Sequence, residues 1–132
     1  MGIKGSGKTK KLIDLVTTAA NEEHGNIVCI EKDQVLMYSI PYSIRLISAS
    51  HYNFGSYDFM KGFISGLHAG NYDITHIFID NLMKILNDQD IGRAEEFINW
   101  CDEFSKRESV NFTMTLSADT NLATPGISKF FC

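Results

Sequence analysis

Residues 2–9 read Gly2-Ile3-Lys4-Gly5-Ser6-Gly7-Lys8-Thr9 and fill every specified position of the phosphate-binding spacing G-x-x-x-x-G-K-[ST]. No other stretch constrains the fold as much. Glycines carry no Cβ, so successive backbone N–H groups can turn inward and form a concave nest around an anionic triphosphate. Lys8 is placed to reach the β and γ phosphates, and the Thr9 hydroxyl can ligate Mg²⁺. The helix that opens here points its positive end at the phosphates. Lys10, one residue on, joins residues 2–9 in the candidate nucleotide-binding set. The other reading of these residues is a glycine-rich turn ahead of a helix.

With 132 residues and 44 % apolar content, the chain is expected to be one domain, 1–132, with a modest core. Its net charge of −4 argues against a nucleic-acid partner, because such domains carry a basic stripe. No apolar run approaches the roughly 20 residues that span a bilayer, and no signal-peptide core is present, so a cytoplasmic location is expected. Cys29, Cys101 and Cys132 are odd in number and far apart, which indicates neither a disulfide framework nor a zinc site. His24, His51, His68 and His76 show no metal-ligand spacing and are expected in structural or surface roles.

Helical spacing of Leu12, Ile13, Val16, Ala19 and Ala20 predicts a helix from Lys8, stopped near Gly25. Ile27-Val28-Cys29-Ile30 then reads as a buried parallel strand. Pro41 divides Asp33 to Ser50 into a loop or edge strand around Val35–Tyr38 and a second strand near Ile44–Ser48. Ser56 is the candidate N-cap of a helix through Leu67 with an apolar face of Phe59, Met60, Phe63, Ile64 and Leu67. Gly62 and Gly66 weaken that helix and would permit close packing on a sheet.

Ile74-Thr75-His76-Ile77-Phe78-Ile79-Asp80 is an apolar run ending in a carboxylate. A strand that ends in Asp is common, but following a complete phosphate loop it reads as a Walker B strand. Asp80 would then emerge at the carboxyl edge of the sheet and hold Mg²⁺ directly or through water. A short helix at Leu82–Leu86 and a longer one from Asp88 or Asp90 to Arg107 follow, the latter with Ala94, Phe97, Ile98, Cys101 and Phe104 on one face. Asn111 to Ser117 reads as a further strand. Beyond it, Asp119 and Thr120 are candidate nucleotide-facing residues at the same edge, an Asx-turn being the other reading. Pro125-Gly126 turns the chain into a short apolar tail.

Strands and helices alternate, so the expected class is α/β, a parallel sheet flanked by helices. The loop at Gly2 to Thr9 and the strand ending at Asp80 resemble the Walker A and Walker B motifs of the P-loop NTPase superfamily, and the intervening layout covers almost the whole chain. That resemblance implies a three-layer fold binding ATP with Mg²⁺, with Thr9 and Asp80 as metal ligands. The strand after Asp80 resembles the RecA-type branch, in which it lies between the phosphate-loop strand and the Walker B strand. Ser117-Ala118-Asp119-Thr120 with Pro125-Gly126 is weakly similar to the core of bacterial-type thymidine kinases.

The departures are informative. Where these families place a glutamate directly after the Walker B aspartate, this chain has Asn81, and an amide is no general base. Asn81 remains a candidate nucleotide-facing residue. The thymidine kinases' zinc-ribbon and lasso segments have no counterpart in these residues. The expected function is therefore ATP binding, as a weak ATPase (a hydrolase) or a nucleotide-dependent switch that works with a protein partner or by self-association. The alternatives are a degenerate interaction module without turnover and a nucleoside or nucleotide kinase. Only Met1 precedes the loop, whereas a buried strand of about five residues is expected there. The sheet is accordingly expected to lack that strand, with the chain a shortened form of a longer one.

Overall fold

A computed structural model of the chain describes residues 6–22, 24–32, 40–41 and 43–115, with the backbone alone for residues 6–11. The elements are α1 (Ser6–Glu22), β1 (Asn26–Glu31), β2 (Arg45–Ser48), a single 3-10 turn (Ala49–His51), α2 (Tyr57–Gly70), β3 (Ile74–Ile79), α3 (Leu82–Leu86), α4 (Ile91–Glu108) and β4 (Asn111–Met114). The four strands form one sheet in the order β2-β1-β3-β4, and every pairing is parallel. Parallel neighbours need crossover connections, which bury both faces of the sheet.

Strand alternation sorts the core into two layers. Ile27 and Cys29 of β1, with Phe78 of β3, pack against Leu12, Val16 and Ala19 of α1. Val28, Ile30, Ile77 and Ile79 point the other way and meet α2, α3 and α4 through Met60, Ile64, Leu82, Ala94, Phe97 and Ile98. Each such side chain, fully buried, contributes about 1.5–3 kcal/mol. The expected α4 face is the one observed: Ala94, Phe97, Ile98, Cys101 and Phe104 are its buried residues. Both cysteines in the described residues, Cys29 and Cys101, are buried free thiols. His68 is buried, edge-on to Phe104 and Tyr72, and His76 stacks on Phe78 at 4.1 Å while its Nε2 lies 2.9 Å from Thr113 Oγ1.

Several boundaries differ from the sequence expectation. Helix α1 begins at Ser6, ahead of Lys8, and α2 continues past Leu67 to Gly70. Ser56 caps α2 as expected, accepting from Phe59 N at 3.1 Å. The buried stripe of α2 is Tyr57, Met60, Ile64 and His68, so Phe59 lies outside it, 41 % exposed. Gly62 and Gly66 do not pack on the sheet: a Cβ at either would meet nothing within 4 Å. Strand β4 ends at Met114. It lies beside β3, as the expected order requires on that side, and meets no second strand among the described residues. The segment Val35–Tyr38, the residues Asp119 and Thr120, and the tail from Pro125 lie outside the described residues. Among the described residues no helix is long and apolar enough to cross a membrane.

Among the described glycines whose surroundings are defined, Gly25 is the one that packing demands. The β1–β3 register shifts between Asn26 and Ile27, which pair with Ile74 and His76, so Thr75 is the extra residue of a bulge. Asn26 N donates to Asp73 O at 2.8 Å and draws the backbone at Gly25 onto that bulge, where a Cβ would collide with the Thr75 side chain and lie 2.6 Å from Asp73 O. Gly25→Ala should therefore lower unfolding free energy by about 1–3 kcal/mol, the usual range for overpacking. Gly62→Ala, on an open helix face, should raise it by about 0.4–1 kcal/mol. Urea denaturation of the two variants checks both signs.

Candidate functional site

Helix α1 ends at Glu22, just before β1 starts, and packs along β1, so it runs antiparallel to the strand. Its first residue, Ser6, therefore lies at the edge where the strands end. Of the candidate loop, Gly2, Ile3, Lys4 and Gly5 lie outside the described residues. Ser6, Gly7, Lys8, Thr9 and Lys10 form the backbone of the first turns of α1. A helix amino terminus at the carboxyl edge of a parallel sheet concentrates unpaired N–H donors and a partial positive charge there.

Asp80 is the first residue beyond β3 and is held by two hydrogen bonds, one to its backbone and one to its side chain. Its N–H donates to Ile30 O at 2.8 Å, tying it to the end of β1. Its Oδ1 accepts from the Thr115 hydroxyl at 3.1 Å, and the same Oγ1 accepts from Asn81 N at 2.7 Å. The Thr115 backbone closes the arrangement, with Thr115 N donating to Ile79 O at 3.0 Å and Leu82 N to Thr115 O at 2.9 Å. Thr115, just past β4, thus locks the β3–α3 turn against the neighbouring strand. Burial pushes the Asp80 carboxyl above its ordinary range, and the Thr115 hydroxyl and the Lys84 ammonium oppose that without cancelling it.

A second carboxylate stands beside it. Ile30 pairs with Ile79, so Glu31 and Asp80 follow at adjacent positions of neighbouring strands. Glu31 is only 2 % exposed. Alternation puts Glu31 on the face of Ile27 and Cys29, and Asp80 on the face of Phe78, which is the α1 side of the sheet. The Cys29 thiol registers both: burial first, then the charges of Asp80 and Glu31, push its pKa up. Sequence reasoning missed Glu31 and Thr115. The signal for Glu31 was there, because Ile27–Ile30 ends in a carboxylate just as Ile74–Ile79 does.

Asn81 adopts the left-handed conformation (φ 63°, ψ 63°), which asparagine tolerates better than most residues. It precedes α3 without capping it through its side chain, and its buried Oδ1 has no hydrogen-bond partner among the described residues. A cleft of about 240 Å³ opens at the same edge, beyond the end of β1, lined by Lys32, Ser50, Tyr52, Asn53, Phe54 and Ile85. No group of three or more His, Cys, Asp or Glu side chains converges among the described residues. The donor set nonetheless fits Mg²⁺ delivered with a nucleotide, since that ion keeps several waters and takes one or two protein carboxylates besides phosphate oxygens.

The raised pKa of Asp80 has a stability consequence. The folded state holds its proton to higher pH than the unfolded chain, so the penalty for the buried carboxylate is absent below the unfolded pKa, roughly 4. It grows as pH rises and is complete above the folded pKa. Asp80→Asn, which keeps the acceptor for Thr115, should be more stable than the parent at pH 7 and should converge with it near pH 4. Thermal unfolding across that range checks the convergence.

No protein-family profile matches the chain, and no curated protein matches it.

Proposed function

We propose that the chain is a P-loop nucleotide-binding domain of the RecA-type branch that takes ATP with Mg²⁺. The observation that carries this reading is the meeting, at one sheet edge, of the α1 amino terminus, which continues directly from Gly2–Gly5, with Asp80 at the end of an adjoining strand. The sequence supplies the phosphate-binding residues, and the fold supplies an edge at which such residues act. The position of β4 beside β3 supports the choice of branch.

In this reading the loop N–H groups and Lys8 hold the phosphates, and Thr9 and Asp80 hold the metal. Mg²⁺, when bound, would supply positive charge that offsets the negative charge of the phosphates. Thr115 fixes the Asp80 carboxylate, so little reorganisation is needed on binding. Asn81 accepts no proton. Glu31 is the carboxylate at this edge that would take one from a water or hydroxyl, and in this reading the chain is a weak ATPase or a nucleotide-dependent switch. The cleft beside Lys32 and Asn53 leaves room at that edge for a second polar molecule.

Equilibrium binding of Mg·ATP tests the assignment. Lys8→Ala removes a charge-assisted contact and should cost about 2–3 kcal/mol, or roughly 30- to 150-fold in affinity. Undiminished affinity in that variant would sink it. Glu31→Gln separates binding from turnover: phosphate release should fall by about 10²- to 10⁴-fold, the range for a lost general base, with ATP affinity nearly unchanged. Hydrolysis at the parental rate would remove Glu31 from the mechanism.

A further inference from the structure

At the sheet edge opposite Asp80 and Glu31, the amino ends of the strands frame a second cleft. It has a volume of about 470 Å³, a size that suits a small molecule, and opens between the last turns of α2 and the strand β2. Ile27, Val28 and Ile74 form its base, and Leu67 closes it from α2. Gly66 and Gly70, one turn apart, leave the α2 wall there without side chains.

The polar rim consists of donors. Arg45 shares the parity of Ile47, which packs on the α2 side of the sheet, so alternation turns Arg45 toward the cleft that it lines. It is exposed and forms no ion pair among the described residues. Asn71 Oδ1 accepts from Asp73 N at 2.9 Å, so Nδ2 is the Asn71 atom that donates to Asn26 Oδ1, also at 2.9 Å. That chain of bonds fixes the Asn26 amide and leaves its Nδ2 as a donor unused among the described residues. Ser43 adds a hydroxyl, and no residue lining the cleft is acidic.

We propose that this cleft binds an amphipathic monocarboxylate, with the carboxylate on Arg45 and Asn26 and the apolar body lying along Leu67 and the bare α2 backbone toward Val28 and Ile74. A rim with donors in excess calls for a group that only accepts, as an ionised carboxylate does. A guanidinium matches that group with two parallel N–H bonds. Inorganic phosphate would satisfy the same donors, but the apolar base offers nothing to its remaining oxygens, whereas a hydrocarbon body gains there by leaving water. The six residues of β3 hold the two sheet edges about 20 Å apart, so this inference is independent of the nucleotide reading.

Isothermal titration of octanoate into the full chain tests it. One saturable site is expected, with a Kd between about 10 µM and 1 mM. Arg45→Gln removes the charge from an exposed side chain and leaves the core intact, so the fold should hold while octanoate affinity falls about tenfold or more. Octan-1-ol has the same body without the charge. It should bind the parent about tenfold more weakly than octanoate, or worse, and should not distinguish the parent from Arg45→Gln. A Cβ at Gly66 would meet nothing within 4 Å, so Gly66→Leu should keep the parental melting temperature while its side chain occupies the cleft and abolishes octanoate binding. Saturating Mg·ATP should leave octanoate affinity unchanged. Absence of a saturable site, parental affinity in Arg45→Gln or Gly66→Leu, octanol bound as tightly as octanoate, or displacement of octanoate by Mg·ATP would each overturn the proposal.

Discussion

The parallel pairing of β1 with β3 is the constraint on which the rest of the structure depends. Both strands are covered on both faces, which is why Ile27–Ile30 and Ile77–Ile79 are continuous apolar runs without polar alternation. Their register, Ile30 against Ile79, also decides where each chain leaves the sheet. It brings Glu31 and Asp80 out side by side and allows Asp80 N to reach Ile30 O. A slip of one residue would turn one carboxylate to the opposite face and set the apolar side chains of that strand against the wrong helices.

The bulge at Thr75 makes that register compatible with the strand entries. Ile74 packs with the α2–α4 layer although it differs in parity from Ile77 and Ile79, and the extra residue restores the pattern. Gly25 accommodates the bulge from the β1 side. A local irregularity at the amino edge is thus coupled through five paired positions to the geometry of the carboxylates at the other edge. Thr115 performs the corresponding service at the carboxyl edge, where its hydroxyl serves Asp80 and Asn81 at once and its backbone serves Ile79 and Leu82.

Much of this was legible in the sequence because it follows from periodicity. The five buried residues of α4 repeat at helical spacing, the strand ending at Asp80 is an unbroken apolar run, and Ser56 is a favourable cap three residues before a donor it can satisfy. What was not legible depends on which element covers which. Phe59, Met60, Phe63 and Ile64 look alike to a periodicity count, yet Phe59 lies about 100° around the helix from Met60 and about 140° from Ile64, which decides that those two are buried and Phe59 is not. Gly62 and Gly66 invited the opposite error, since small residues on a helix fit a close packing partner equally well inside the fold or outside it. Glu31 was overlooked because a glutamate after a strand is ordinary until register places it beside Asp80. Thr115 was overlooked because its partner is 35 residues away.

Two carboxylates at neighbouring strand ends are an unfavourable arrangement in isolation. Burial adds to the penalty, as the upward shift of Asp80 shows, and Glu31 is more buried still. A core selected for stability alone would place an amide or an apolar residue at one of the two positions. For Asp80 the opposing contributions are one hydroxyl donor from Thr115 and the ammonium of Lys84. The positive end of α1 supplies a further fraction of a charge at that edge. The upward shift that remains at Asp80 is therefore set by burial, which the β1–β3 register imposes by ending both strands at one edge.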